Sequence, residues 1–264
     1  MITSTSNARI KELIKIRKHT RFRNKKQVYL VEGSRMVREA PEEEIVQIWV
    51  SERFADKNQT LLRRFPDRIP VEILSDSVFA HVSDTKTPQG VLCVLRQKSY
   101  DLAQIIQTEK PLLLLLDGLQ DPGNLGTILR TGEAAGVTGM ILSKDCVDIY
   151  NPKVIRSTMG SVYRMPFIYV EDLAKTAIWI KGKGIHIYAA HLQGKNAYDK
   201  EGYQNGTAFL IGNEGNGLRK EVAEQADVKI QIPMQGQVES LNAAAAATIL
   251  MYEAMRQRRE ELEW

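Results

Sequence analysis

At 264 residues, 43% hydrophobic and 26% charged, the chain has the composition of an ordinary globular protein and length enough for two modest domains. Its apolar runs, of which Leu112–Leu116 is typical, are far too short to cross a bilayer, and the opening Met-Ile-Thr-Ser-Thr-Ser lacks the basic-then-apolar pattern of an export signal, so a cytoplasmic protein is expected. The net charge of +4 is unevenly spread: residues 1–106 carry 19 Lys and Arg against 13 Asp and Glu, and residues 107–264 carry 17 against 19.

The first predicted element is a helix capped by Ser6 and running to about residue 19, with Ile10, Leu13, Ile14 and Arg17 at helical spacing. A basic block overlaps it and continues into a polar loop: Arg9, Lys11, Lys15, Arg17, Lys18, Arg21, Arg23, Lys25 and Lys26, opposed only by Glu12. Such a block can be a solvated face, but its density favours a polyanion, whose phosphates release condensed counterions on contact. Phe22 could stack on an unpaired base. Apolar runs at 28–31, 45–50, 71–74 and 90–95 read as strands, separated by helical stretches at 34–40, 58–65 and 75–81. That order predicts a small α/β domain over 1–106, ending in a polar linker at 97–110 with a helical stretch at 101–107.

Pro111 opens a second expected domain, 107–264. Strands are expected at 112–116, 140–142, 166–169, 185–189, 208–211 and 228–232, and helices at 123–135, 152–159, 173–181, 217–225 and 240–259. The continuous leucines of 112–116 suit a strand buried on both faces, and the alternation predicts a parallel, helix-flanked sheet. Cys93 and Cys146 stand alone in apolar surroundings, without the paired ligands of a zinc or iron–sulfur site, so no metal is expected.

Three segments of this second part carry chemistry. Asp121-Pro-Gly-Asn124 is a turn between strand 112–116 and the next helix, and strand tips are where α/β sheets bind ligands. Asn124 and Arg130, six apart, would fall within about 120° of one another on that helix and about 9 Å apart along it. A surface Arg on an amphipathic helix is the plain alternative. Gly212-Asn-Glu-Gly-Asn-Gly217 follows an apolar strand, and its glycines permit close backbone approach to a ligand. Neither the Walker nor the Rossmann glycine pattern is present, and a simple strand–helix turn competes. Ile232-Pro-Met-Gln-Gly-Gln-Val-Glu-Ser-Leu-Asn242 runs into Ala243–Ala247, with Ser240 as the expected helix cap. The alanines lack bulk, which permits close packing, although they also simply favour helix.

In this order and spacing the three segments resemble the SpoU (TrmH-like) family of RNA ribose 2′-O-methyltransferases, of the SPOUT superfamily. Departing from many members, the chain has Ala243-Ala244 after Ser-Leu-Asn. The resemblance implies a deep trefoil knot, with the carboxy-terminal segment tucked through a preceding loop, and an N-terminal domain like RNA-binding ribosomal proteins. It implies S-adenosyl-L-methionine as cofactor, held by Leu192, Gly212, Asn213, Ile232, Met234 and Leu241 against loop backbone. It assigns Asn124, Arg130, Glu214, Ser240 and Asn242 to the catalytic centre, and Arg17, Lys18, Arg21, Arg23, Lys25 and Lys26 to RNA. His191 is not expected to be catalytic, having no partner at ligand spacing. A homodimer is implied, with the alanine-rich face of 240–259 as interface candidate and groups from both subunits in each site. The expected substrate is 23S ribosomal RNA, as a step in ribosomal RNA processing. Alternatives are a transfer RNA 2′-O-methyltransferase, a non-catalytic RNA-binding assembly factor that keeps the knot, and a nucleotide-binding regulator using the 212–217 loop.

Overall fold

The computed structural model describes residues 1–260 and divides them into two compact units, Met1–Lys98 with Asp148–Tyr163, and Ser99–Val147 with the chain from Arg164 on. The expected division at 106/107 differs from this in its boundary and in the second-domain segment that belongs to unit 1.

Unit 1 begins with α1 (Ala8–Lys18), capped by Asn7, whose side chain accepts from the Arg9 amide at 2.9 Å. Residues expected as a basic loop are instead α2 (Thr20–Lys26), ended by Gln27 in the left-handed region. Then come β1 (Val28–Glu32), α3 (Ser34–Glu39), β2 (Ile45–Ser51), α4 (Glu52–Lys57), α5 (Gln59–Leu62), β3 (Val71–Leu74), α6 (Asp76–Val82) and β4 (Val91–Arg96). The helix expected at 58–65 is the short α5, and α4 before it was not expected; the Ser51 hydroxyl starts α4 by accepting from the Phe54 amide. The sheet order is β1-β4-β2-β3, with only β3 parallel to its neighbour. Ile10, Leu13, Trp49, Leu74, Phe79 and Leu92 form its core with α1 and α6.

Unit 2 holds α7 (Leu102–Ile105), β5 (Leu112–Leu116), α8 (Pro122–Ala134) and β6 (Gly139–Ser143). The chain then supplies α9 (Pro152–Thr158) to unit 1 and returns as β7 (Phe167–Val170), α10 (Leu173–Lys181), β8 (His186–Ala190), β9 (Asn196–Ala197), β10 (Thr207–Ile211), α11 (Lys220–Ala223), β11 (Val228–Gln231) and α12 (Ala243–Glu260). Seven strands in the order β7-β6-β5-β10-β8-β11-β9 are all parallel, as the alternation predicts. β5, β6 and β10 are buried along their whole length.

This order places the site. The chain builds β5, β6 and β7 outward in one direction, then returns to build β8, β10 and β11 on the other side of β5. The crevice at such a reversal lies beyond the carboxyl ends of the strands. The loops after β5, β10, β8 and β11, which are neighbours in the sheet, emerge together there. Among the described residues no helix is long and apolar enough to cross a membrane.

Candidate active site

At the tip of β5 the chain turns through Asp117 and Gly118 into α8. Asp121 caps this helix, accepting from the Asn124 amide at 2.7 Å, and Pro122 occupies its first turn, where a missing N–H costs nothing. Asn124 is thereby fixed on the first turn and is buried. Its side-chain amide donates to Glu214 at 3.0 Å, and its carbonyl accepts from Asn242 at 2.8 Å. One residue from each of the three sequence segments thus joins a single chain of hydrogen bonds. Glu214 also accepts from the amides of Gln120 (3.1 Å) and Asp121 (3.0 Å). Partial burial opposes its charge, but the hydrogen bonds from Asn124, Asp121 and Gln120 outweigh that and hold its pKa below the ordinary Glu value.

The loop after β10 is shaped by Asn213. Its side-chain Oδ1 accepts from the amides of Gly215 and Asn216, at 2.9 and 3.0 Å, and its side-chain Nδ2 donates to the Gly118 carbonyl at 2.7 Å. Only glycine fits at 212, since a Cβ there would lie 2.2 Å from the Gly217 carbonyl carbon and 2.3 Å from the Leu218 nitrogen. The loop is anchored from beyond by Arg219. Its backbone amide donates to the fully buried Asp117 at 2.8 Å, and its guanidinium pairs with the same carboxylate and with Asp145.

The helix expected from 240 starts three residues later. Asn242, not Ser240, is the cap, accepting from the amides of Ala244 and Ala245 at 2.9 and 3.2 Å. Ser240 stays in the preceding loop. The alanine face is not an open interface either: Ala243, Ala244, Ala247 and Ala254 are buried within unit 2, where α12 packs on α8 and Thr248 meets Thr131 at 3.4 Å. Ala245 and Tyr252 are the exposed apolar positions of α12.

Between these loops lies a cavity of about 560 Å³. Leu192, Gly212, Asn213, Ile232, Met234 and Leu241 all line it, together with Glu214 and Ser240. Its size is that of a small-molecule site. His191, also in the wall, accepts from the Gln193 amide at Nδ1 over 3.0 Å, and burial with the nearby Lys229 charge lowers its pKa. Asn124, which is buried, and Asn242, which is exposed, do not line the cavity. Arg130 is exposed on α8, does not line the cavity, and its side chain bonds to no described residue. No cluster of three or more metal-ligating side chains exists among the described residues.

The basic block of unit 1 divides into exposed and committed groups. Lys18, Arg21, Lys25 and Lys26 are exposed, Lys26 pairing with Glu12 at 3.2 Å, and Lys15 and Lys26 flank the Phe22 ring. Arg23 is a correction: only 2% exposed, it donates to the carbonyls of Ile16 (2.8 Å) and Arg17 (3.0 Å) and to Thr20, and pairs with Asp148. Arg17 is half-buried, its guanidinium spent on the carbonyls of Val82 and Ser83. Neither guanidinium is open to a phosphate, because each neutralises carbonyls that its own unit leaves unpaired.

Residues 111–252 match the profile of the SpoU rRNA Methylase family, and residues 7–93 match that of the MRM3-like substrate binding domain. The chain belongs to the SpoU rRNA methylase family. It is 33% identical to the 23S rRNA (guanosine(2553)-2'-O)-methyltransferase RlmP of Bacillus subtilis, over 95% of this chain and 97% of that protein. It superposes on the SpoU methyltransferase AviRb of Streptomyces viridochromogenes, solved in complex with AdoMet, with a TM-score of 0.86 and 28% identity, covering 96% of this chain and 100% of the other. The AdoMet-bound rRNA methyltransferase from Sinorhizobium meliloti gives a TM-score of 0.86 at 27% identity, covering 100% and 98%.

Within this SpoU fold, sequence reasoning overlooked two groups at the site. The Asp117–Arg219 pair is separated by 102 positions and carries no local pattern, although an Asp ending a strand of leucines was a signal. Glu239 lines the cavity and was passed over as part of the loop before Ser240.

Proposed function

We propose that this SpoU-family chain transfers the methyl group of S-adenosylmethionine to a ribose 2′-hydroxyl of structured RNA, with 23S ribosomal RNA as the substrate. The observation that carries the reading is the Asn124–Glu214–Asn242 chain of hydrogen bonds, which ties three sequence-distant loops together at one cavity. The cavity fits the cofactor in volume, and Gly212 lets the loop after β10 fold back on its own backbone at Gly217 and Leu218, so that this loop offers main-chain groups to the cavity. Leu192, Gly212, Asn213, Ile232, Met234 and Leu241 would hold it. The bound cofactor supplies an electrophilic methyl carbon.

The chain's own residues must position the ribose and manage charge. Guanidinium stays protonated in proteins, so Arg130 is unsuited to remove the hydroxyl proton. Its free, exposed side chain suits fixing the target phosphate and stabilising negative charge that develops on the 2′-oxygen. Ser240, in the cavity wall, orients the ribose, while Asn124, Asn242 and Glu214 hold the loops. A homodimer supports this arrangement, because Arg130 lies outside the cavity of its own chain and a second subunit would bring one Arg130 to the other's site. The knotted path is part of the same proposal, supported by Ser240 and Leu241 lining a cavity whose other walls are the loops after β8 and β10. A ribosomal RNA substrate also places the protein in the cytoplasm.

Arg130→Ala should abolish tritium transfer from labelled S-adenosylmethionine to ribosomal RNA, a loss of about 10²-fold or more. Cofactor binding by calorimetry should be unchanged. Full activity in the variant would remove Arg130 from the mechanism, and transfer to transfer RNA alone would replace the substrate.

A further inference from the structure

The wall of the unit 2 cavity contains two carboxylates, Glu214 and Glu239, and no lysine or arginine. Glu214 is spent on the hydrogen bonds that join the loops. Glu239 is different. It makes no hydrogen bond or ion pair with any described residue, and it precedes Ser240 in the loop between β11 and α12. The third ionisable group in the wall, His191, is an acceptor to the Gln193 amide and so stays uncharged in that arrangement. Lys229, whose charge acts on His191, is on β11 and outside the wall. The cavity therefore presents one uncommitted negative charge and no positive side chain to answer it.

The proposed cofactor and its spent form differ in one respect that such a charge can read. The methyl donor carries a sulfonium, an ammonium and a carboxylate, for a net charge of +1. The product, S-adenosylhomocysteine, is a neutral thioether at the same sulfur, for a net charge of zero. The two are otherwise nearly the same shape, so packing against Leu192, Ile232 and Leu241 does little to separate them. An anion in the wall does separate them even though Glu239 is exposed, since solvent weakens a Coulomb interaction over several ångströms without abolishing it.

We propose that Glu239 sets the charge selectivity of the cofactor cavity, favouring the sulfonium donor over the neutral thioether, so that incoming donor competes better against spent product. This rests on the reading of the cavity as the S-adenosylmethionine site. It makes Glu239 a specificity-determining residue for the ligand's charge state rather than a participant in methyl transfer.

The test is calorimetry on the full chain with three ligands: S-adenosylmethionine, S-adenosylhomocysteine, and sinefungin, which carries an amine in place of the sulfonium methyl. In Glu239→Gln, affinity for the two cationic ligands should fall about fivefold while affinity for S-adenosylhomocysteine changes less than twofold. Glu239→Asp should recover part of the difference, and product inhibition should deepen in Glu239→Gln. Equal weakening of all three ligands, or no change in their ratio, would overturn the proposal and leave the cavity reading intact. Failure of the unsubstituted chain to bind any of them would instead overturn the cavity reading itself. Circular dichroism of each variant distinguishes a lost fold from a lost selectivity.

Discussion

Glu214 shows how one exposed carboxylate can organise a site. Three donors from the β5–α8 turn and α8 converge on its two oxygens, and replacing it leaves those donors to water or to each other. Glu214→Gln keeps the shape but loses the charge and offers one acceptor oxygen in place of two. At pH 7 this should cost about 1 kcal/mol, below the roughly 1.5–3 kcal/mol of a hydrogen bond to a charged group because Glu214 is exposed to solvent. The sign of the pH dependence follows from the lowered pKa. The folded state holds the carboxylate ionised more firmly than the unfolded chain does, so the contribution is complete above the ordinary Glu value. It is lost as pH falls through the lower native value. Urea unfolding should therefore show the variant less stable at pH 7 and the gap closing in strong acid. A gap that is constant with pH would mean that shape, not charge, is what Glu214 supplies.

At the scale of elements, α12 decides whether the third segment meets the first. Its buried positions include Ala243, Ala247, Leu250, Met251 and Ala254, and it lies against α8, which carries Asn124. Small residues let the two helix backbones approach closely enough for the 2.8 Å bond between Asn242 and Asn124. Ala247 is fully buried, so Ala247→Leu should force the helices apart at a cost of about 1–3 kcal/mol, read as a lower urea midpoint. The same substitution at the exposed Ala245 should leave monomer stability within about 0.5 kcal/mol. The contrast shows what was legible in the sequence and what was not. β5 was readable because five leucines suit a doubly buried strand, and α8 was readable in extent, although its cap Asp121 and first residue Pro122 read only as a turn. α2 was not, since TRFRNKK looks like a solvated loop until Arg23 finds Asp148, 125 positions away. β9 escaped because two residues carry no periodicity. The start of α12 was misplaced because Ser240 and Asn242 are both good caps, and only the structure shows which side chain reaches the helical amides.

The whole molecule separates its charge between two units, and the separation is physical as well as statistical. Unit 1 keeps Lys18, Arg21, Lys25 and Lys26 exposed around Phe22, and locks Arg23 beneath them against a segment that the sequence assigns to the other domain. No reading of local pattern could have separated Arg23 from its neighbours, because burial and its partner are both set by tertiary structure. The two kinds of arginine and lysine predict two kinds of failure. For RNA held through phosphates, log K falls linearly with log salt, with a slope of about 0.7–0.9 per phosphate neutralised. Replacing Lys25 and Lys26 together by Ala should reduce that slope by about 1.5 while leaving thermal stability unchanged, as measured by fluorescence titration of a 23S fragment across 50–200 mM salt. Arg23→Ala removes the same kind of charge from the same helix, yet it leaves Asp148 and two carbonyls without their partner. It should cost about 3–5 kcal/mol of stability and lower the amount of folded protein, with the slope of the surviving fraction unchanged. A slope that dropped for Arg23→Ala in fully folded protein would place that guanidinium on the RNA after all.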